Sequence, residues 1–442
     1  MNIAVVGAGH VGLVVAACLA DFGFTVQCVD TDAGRIQGLR QGTLPFYEPG
    51  LGELVEKNAK AGRLLFSTDV SEGIRSSTVV FVAVGTEGNP GSGPDLRAVY
   101  AVAEEIASQL EAYKVIVLKS TVPVGTAAAV TDLIRSRQPR PVPFDVVSNP
   151  EFLREGSAIE TFMRPDRVVI GTTSETARKI MREIYRPLFL IETPIVATTN
   201  RNAELIKYAA NAFLATKISF INEMAALCDA LGCDVHVVAK AIGLDRRIGP
   251  KFLHPGPGFG GSCLPKDGRG LLSLGEEMGI ELEILKAVFR TNEGQAARVV
   301  SKARLHLGSL AGRTIAVLGL AYKTNTDDVR ESPAIRACEL FLREGASLRL
   351  HDPMANETAR QLLHGPQVHY CADPYEAAQG ADGVAVLTEW NEFRRLDLAA
   401  LKGKLRGNLL LDARNIFDPE EVTSLGFVYV GVGRGPTPRA QE

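Results

Sequence analysis

The stretch from Asn2 to Asp30 leaves the chain few choices of fold. It opens with NIAVVG, a short apolar run rich in β-branched residues, as a strand buried on both faces requires. Gly7, Gly9 and Gly12 follow in G-x-G-x-x-G spacing, then a helical pattern to about Phe22 that Gly23 ends. Residues 24–30, FTVQCVD, read as a second strand with an acidic end. This is the strand, turn, helix and strand of a dinucleotide-binding α/β unit. Gly7 permits the tight turn, Gly9 lets backbone approach a pyrophosphate, and Gly12 lets the helix pack on the sheet. The helix N-terminus offers free N–H groups to the diphosphate. Asp30 bonds ribose hydroxyls and repels a 2′-phosphate, which favours NAD over NADP. A plain α/β turn with an incidental acid is the bland alternative. FAD fits less well, because nothing else in the chain suggests a flavin site.

The same alternation continues. Strand-like runs occur at 78–84, 114–120, 144–148 and 167–171, with helical stretches between several of them. From about Asn200 to Leu231 the pattern changes to one long proline-free helix, and a second helical region covers roughly Lys266–Leu307. At Gly312 the α/β pattern restarts. RTIAVLG at 313–319 repeats the strand-then-glycine opening, SLRLHD at 347–352 repeats the acid-ended strand, and further strands are expected at 383–388 and 409–412. The expected fold class is α/β: two Rossmann-like doubly wound parallel-sheet domains joined by a long-helix central region. The divisions fall at 1–199, 200–307 and 308–442. The second copy lacks G-x-G-x-x-G, so it is expected to bind something other than a dinucleotide pyrophosphate. The tail GRGPTPRAQE is expected to be disordered.

Bulk properties exclude several classes. A length of 442 residues allows about three domains. The net charge of -3 gives no electrostatic case for a nucleic acid or an anionic membrane. The seven cysteines are scattered, without C-x-x-C pairs or zinc spacing, so no metal site is expected and a reduced compartment fits best. The N-terminal apolar run has no basic leader and is broken by glycines, and no run reaches the ~18 apolar residues of a membrane span. A cytoplasmic protein without membrane attachment is the expectation.

One thiol stands apart. In GFGGSCLPKD, residues 258–267, Cys263 lies between paired glycines and a Lys/Asp pair. The glycines are expected to leave the thiol uncrowded and to admit a ligand close to backbone. Pro265 suits the first turn of a following helix, whose dipole stabilises a thiolate just ahead of it. A thiol beside a hydride acceptor can add to an aldehyde, pass through a thiohemiacetal to a thioester, and release a carboxylate to water. Lys207 and Asn211 are four apart, on one face of the long helix. Spacing alone favours a solvated lysine with a polar neighbour; the alternative is a cation and an amide aimed at a developing alkoxide.

Six motifs then align in order: GAGHVGL at 7–13, STVPVGT at 120–126, NPEFLREGSAIE at 149–160, ELIKYAANAFLATKISFINE at 204–223, RIGPKFLHPGPGFGGSCLPKD at 247–267 and GLAYKTNTDDVRESPA at 319–334. On these motifs the chain resembles the nucleotide-sugar dehydrogenases of the UDP-glucose/GDP-mannose family. The resemblance implies Cys263 as covalent nucleophile, with Lys207 and Asn211 stabilising the oxyanion. It implies that Asp267 and Thr121 hold a water near the thiol, and that Glu151 assists proton transfer or thioester hydrolysis. Glu151, Phe152, Leu153, Arg154 and Glu155 would line the sugar-nucleotide site. Phe252, Leu253, His254, Pro255, Gly256 and Gly260 would clasp the substrate, which Lys207 and Asn211 also touch. Lys323, Arg414 and Arg247 would reach it too, Arg247 from a partner subunit. The NAD contacts implied are Gly7, Gly9, Val11, Gly12, Asp30, Arg35, Thr86, Thr121, Glu155, Lys266 and Arg330. His10 and Gly85-Thr86-Glu87 depart from the family's usual tyrosine and Thr-Pro step, both within the NAD loop region.

Gly156 after Arg154-Glu155, and Ser262 before the cysteine, resemble the UDP-glucose branch rather than the GDP-mannose or N-acetylhexosamine branches. The implied reaction is oxidation of UDP-glucose to UDP-glucuronate by two NAD, a supply line for polysaccharide synthesis. A homodimer or higher homo-oligomer through the long helix is implied. Two other readings stay open: a thiol-independent β-hydroxyacid dehydrogenase using Lys207 and Asn211, and a non-catalytic nucleotide sensor.

Overall fold

The computed structural model describes residues 1–88 and 94–434, so residues 435–442 of the expected disordered tail lie outside the described residues. The chain divides into two compact units, Met1–Ala210 with Arg269–Met278 and Asn211–Gly268 with Gly279–Glu442.

The first unit is built on an eight-stranded sheet. Its spatial order is Leu64–Ser67, Thr25–Val29, Asn2–Val6, Val79–Val82, Lys114–Leu118, Phe144–Ser148, Val168–Gly171 and Ile195–Thr198. In chain order the first six read 3-2-1-4-5-6, the Rossmann order, and all are parallel. Val168–Gly171 pairs antiparallel with Phe144–Ser148 and parallel with Ile195–Thr198, so the last two strands extend the parallel sheet in the opposite sense. Alternation puts Ile3 and Val5 into one core with the helix His10–Asp21, and Ala4 and Val6 into another with Arg97–Gln109 and Thr126–Arg137. Two covered faces explain why the central strands read as unbroken apolar runs.

The second unit holds a six-stranded, wholly parallel sheet ordered Val368–Tyr370, Ser347–His351, Thr314–Leu318, Gly383–Val386, Leu409–Asp412, Val428–Gly431. In chain order this is again 3-2-1-4-5-6. Its core takes in Ile221 and Ala225 of the helix Asn200–Leu231 and Val299 and Val300 of the helix Gln295–Leu307.

The long helix spans Asn200–Leu231, as expected. The expected helical region at 266–307 consists of three helices, Cys263–Glu277, Glu283–Glu293 and Gln295–Leu307. Gly279, at φ 69°, separates the first two, and Gly294 separates the others. Four strands escaped the apolar reading: Leu64–Ser67, Ile195–Thr198, Val368–Tyr370 and Val428–Gly431. All four are sheet edges. An edge strand is short and half exposed, so it carries neither a long apolar run nor a clean alternation.

Candidate active site

The glycine turn is fixed by steric necessity. Gly7 has φ +105°, and a Cβ there would lie 2.5 Å from Ala83 O. A Cβ on Gly12 would lie 1.9 Å from Gly7 O, so the helix can approach the turn only without one. Gly9 differs, since a Cβ there meets nothing within 4 Å. It is the N-cap of His10–Asp21 and supplies no side-chain cap, the kind of helix start at which phosphates bind. The turn lies where the strand order reverses between Asn2–Val6 and Val79–Val82, the usual ligand crevice of an open α/β sheet. Thr86 donates to Thr121 O at 3.1 Å, joining the ends of the next two strands.

Asp30 is held at the end of the second strand. Its Oδ2 accepts from Ala8 N–H at 2.7 Å and from Arg35 Nη1 at 2.9 Å, and its Oδ1 accepts from Asp32 N–H at 3.0 Å. Burial pushes the carboxyl up, but these bonds and the Arg35 charge outweigh it and hold the group below the usual carboxylate range. An ionised acid at this position suits ribose hydroxyls. The open Gly9, the uncapped helix and Asp30 together fit NAD.

The second sheet repeats the turn and closes it. Gly319 has φ +96° and donates its N–H to His351 O at 2.8 Å, as Gly7 does to Val29 O at 2.8 Å. Asp352 stands where Asp30 stands. Its Oδ2 accepts from Leu320 N–H, Ala321 N–H and Trp390 Nε1, and its Oδ1 from Met354 and Ala355 N–H. The carboxylate is 2% exposed and its acceptor sites are filled by protein. Asp352 is therefore not the acid that would hold a ribose as Asp30 would.

In the first unit, Lys207 Nζ lies 2.9 Å from Glu151 Oε1, with both side chains buried. Glu151 Oε2 also accepts from Leu153 N–H. Burial pushes Glu151 up, but the Lys207 charge and these bonds hold it below the usual range. The solvated lysine that spacing alone favours is therefore corrected: Lys207 is a buried cation paired with a carboxylate. Lys207 Nζ also lies 5.4 Å from the Phe152 ring centroid, and the Arg167 guanidinium stacks at 3.5 Å from the same centroid. Glu48 fixes the following segment by accepting from Gly156 and Ala158 N–H at 2.7 and 2.8 Å. Arg154 points outward to Asp166 at 3.3 Å.

Glu151 lines a cavity of about 260 Å³ together with Lys119, Asn149, Phe152 and Tyr185 among others. Lys119 Nζ donates to Asn149 Oδ1 at 3.1 Å and Tyr185 Oη at 3.2 Å. Burial lowers this ammonium to about 8. The sequence reading missed Lys119, Asn149 and Tyr185. The signal was present in a lysine placed directly after the apolar end of the strand Lys114–Leu118.

In the second unit, Cys263 is the first residue of the helix Cys263–Glu277, one position further in than expected. Pro265 falls within the first turn. Five of the cysteines are buried, whereas Cys263 is half-buried and Cys233 exposed. Burial raises the thiols of Cys18, Cys28, Cys228, Cys338 and Cys371. Ser262 Oγ lies 3.6 Å from Cys263 Sγ. Asp267, 1% exposed, accepts from Asn211 Nδ2 at 2.6 Å and from Lys266 Nζ at 2.7 Å.

The expected substrate residues of this unit divide. Arg414 is anchored by Leu387 O at 2.9 Å, Tyr322 O at 3.1 Å and Glu389 at 3.1 Å. A Cβ on Gly256 would lie 3.2 Å from Arg414 Nη1, so these two are brought together. Phe252 holds a left-handed φ of 64°, a strained conformation for a bulky residue. Lys323 Nζ lies 5.4 Å from the Tyr322 ring centroid. Arg330 is forked onto Asp328, and Arg247 is 89% exposed in its side chain and paired with Asp245. The glycines before the thiol correct the expectation of free space: Cβ atoms on Gly258, Gly260 and Gly261 would meet Asn292, Glu331 and Tyr322 at 2.7, 2.3 and 2.7 Å.

One Rossmann copy shaped for a dinucleotide, a second copy closed to it, and a half-buried thiol at a helix start fit a dinucleotide-dependent dehydrogenase. Comparison with known proteins narrows the class. The chain belongs to the UDP-glucose/GDP-mannose dehydrogenase family, whose NAD binding domain matches residues 1–189, central domain 201–294 and UDP binding domain 316–419. It is 49% identical over 442 residues to a UDP-glucose 6-dehydrogenase of Rhizobium meliloti, covering 98% of this chain and 100% of that one. It is 46% identical over 441 residues to the UDP-glucose 6-dehydrogenase TuaD of Bacillus subtilis, covering 100% and 95%. A solved UDP-glucose dehydrogenase from Pyrobaculum islandicum superposes with a TM-score of 0.90 at 40% identity, covering 98% and 97%.

Proposed function

We propose that this protein oxidises UDP-glucose to UDP-glucuronate, as a UDP-glucose 6-dehydrogenase. Cys263 carries the reading: it is a half-buried thiol at a helix start, in a chain that matches proteins of that name along its whole length. Solved relatives bearing other sugar names, such as the UDP-D-ManNAc dehydrogenase of Pyrococcus horikoshii at 27% identity, are more distant. NAD held at the Gly7–Gly12 turn would accept one hydride, and a second NAD taking its place would accept the other.

The residues divide the work. The C6 hydroxyl of the sugar gives up its proton and the C6 carbon gives up a hydride from its C–H bond, leaving an aldehyde. Cys263 as thiolate adds to that carbon, giving a thiohemiacetal whose oxygen takes up a proton. Loss of that proton and a second hydride leaves a thioester. Water adds to the thioester and the thiol departs, leaving the carboxylate. The sum is UDP-glucose + 2 NAD⁺ + H₂O to UDP-glucuronate + 2 NADH + 3 H⁺. Lys207 and Asn211 stabilise the charged oxygen that recurs in these steps. Glu151, ionised in its pair with Lys207, accepts a proton, and Asp267 and Thr121 hold the attacking water. Lys323, Arg414 and Arg247 neutralise the diphosphate.

We read the chain as three parts, 1–199, 200–307 and 308–442. A cytoplasmic homodimer through the long helix accompanies this reading. Phe213, Phe220 and Leu227 recur every seven residues and are 65%, 45% and 47% exposed, an apolar stripe that a second helix covers well. Among the described residues no helix is long and apolar enough to cross a membrane.

The test is purified protein with NAD and each of UDP-glucose, GDP-mannose and a UDP-N-acetylhexosamine. The expected result is two NADH per UDP-glucose consumed. NADH from GDP-mannose alone, or one NADH per turnover, overturns the assignment.

A further inference from the structure

Two buried asparagines, which neither the motif reading nor the proposed chemistry assigns, hold the segment between the substrate loop and the thiol. Asn222, on the long helix, accepts the Gly256 N–H at 2.9 Å through Oδ1. Asn292, near the end of Glu283–Glu293, accepts the Phe259 N–H at 2.8 Å and returns Nδ2 to Phe259 O at 3.0 Å. One side chain thus meets both backbone groups of Phe259, as a neighbouring strand would. The carboxamide is the group that can do this, since it places one acceptor and one donor side by side. An aspartate offers two acceptors and faces Phe259 O with the wrong one.

The glycines serve this clasp. Gly258, at φ +114°, lets Asn292 Oδ1 come to 2.7 Å of where a Cβ would stand. Gly260 passes against Glu331 O, and Gly261 lies under the Tyr322 ring while donating its N–H to Arg330 O at 2.9 Å. Cys263 follows two residues later. The backbone that carries the thiol is therefore gripped at 259 by Asn292 and at 260–261 by the Tyr322–Glu331 segment, whereas Gly256, beside Arg414, is gripped by Asn222.

We propose that Asn292 is a positioning residue for Cys263 and Asn222 a positioning residue for the substrate loop at Gly256, an inference that rests on the thiol chemistry above. A misplacement of about 1 Å can cost on the order of a hundredfold in rate. Asn292→Asp is expected to lower kcat by about ten- to a hundredfold with KM for UDP-glucose changed less than about threefold. Asn222→Ala is expected to raise that KM about tenfold with kcat within about threefold. Gly258→Ala, which attacks the Asn292 contact from the loop side, should reproduce the Asn292→Asp defect and covers the case in which that variant does not fold.

A readout independent of turnover separates this from the functional assignment. In a Cys233→Ser background, which removes the exposed thiol, the rate of Cys263 alkylation by iodoacetamide is measured against pH, alongside Tm. Altered alkylation in Asn292→Asp and Gly258→Ala, at temperatures well below Tm, supports the clasp even if UDP-glucose proves not to be the substrate. Unchanged alkylation and kcat with only a lowered Tm overturns it, as does an equal effect of both asparagine variants on the same kinetic parameter.

Discussion

Lys207 Nζ sits 2.9 Å from Glu151 Oε1, both buried, so each is the other's counter-charge. Removing one member of such a pair leaves an uncompensated buried charge, at about 3–5 kcal/mol. Lys207→Met and Glu151→Gln should each lose activity and stability. The double variant should recover most of the stability and none of the activity. Urea unfolding beside NADH formation checks this; full activity in the double variant would show that neither group acts in the chemistry.

Lys119 gives the pair a pH signature. Burial, opposed by the Glu151 charge and aided by that of Lys207, brings its ammonium from 10.5 to about 8. Below pH 8 folded and unfolded chains both hold the proton, and the cost of the buried charge is fully present. Between the two values the unfolded chain holds more protons, so this group makes the wild type more stable as pH rises. Lys119→Met lacks that contribution. The stability of wild type relative to Lys119→Met should climb from pH 8 to 10, by on the order of 3 kcal/mol at most. A flat difference across that range refutes the buried cation.

The glycine turn separates folding from binding. A Cβ on Gly12 would stand 1.9 Å from Gly7 O, whereas one on Gly9 meets nothing within 4 Å. Gly12→Ala should lower Tm sharply or prevent folding. Gly9→Ala should fold normally and bind NAD about tenfold more weakly. Calorimetric titration with NAD and thermal unfolding distinguish the two; equal behaviour would place the dinucleotide elsewhere.

The stripe on the long helix predicts the assembly. Replacing Phe213 and Phe220, 65% and 45% exposed, with Asp should convert a dimer to a monomer by light scattering. An unchanged mass means that this face is not the interface.

Much of this was legible because the signals are local. The Gly7–Gly12 turn and the apolar runs of central strands state their own structure, and Asp352 repeats Asp30 at the same strand end. The motif series named Cys263, Lys207 and Asn211 as candidates, and their roles belong to the proposed chemistry. What escaped depends on residues far apart in the chain. The four edge strands lack a full apolar pattern because each has one neighbour and a half-wet face. The Asn292 grip on Phe259 spans 33 positions, and no period of a helix or strand announces it. The glycines around the thiol were read as room for a ligand, when their missing Cβ atoms admit Asn292, Glu331 and Tyr322.

The sulfur of Cys263 is the centre of the proposed chemistry. Cys263→Ser, incubated with UDP-glucose and excess NAD, should form no UDP-glucuronate by mass spectrometry, while the wild type forms one for every two NADH. UDP-glucuronate from the serine variant at a rate near that of the wild type would contradict the covalent route.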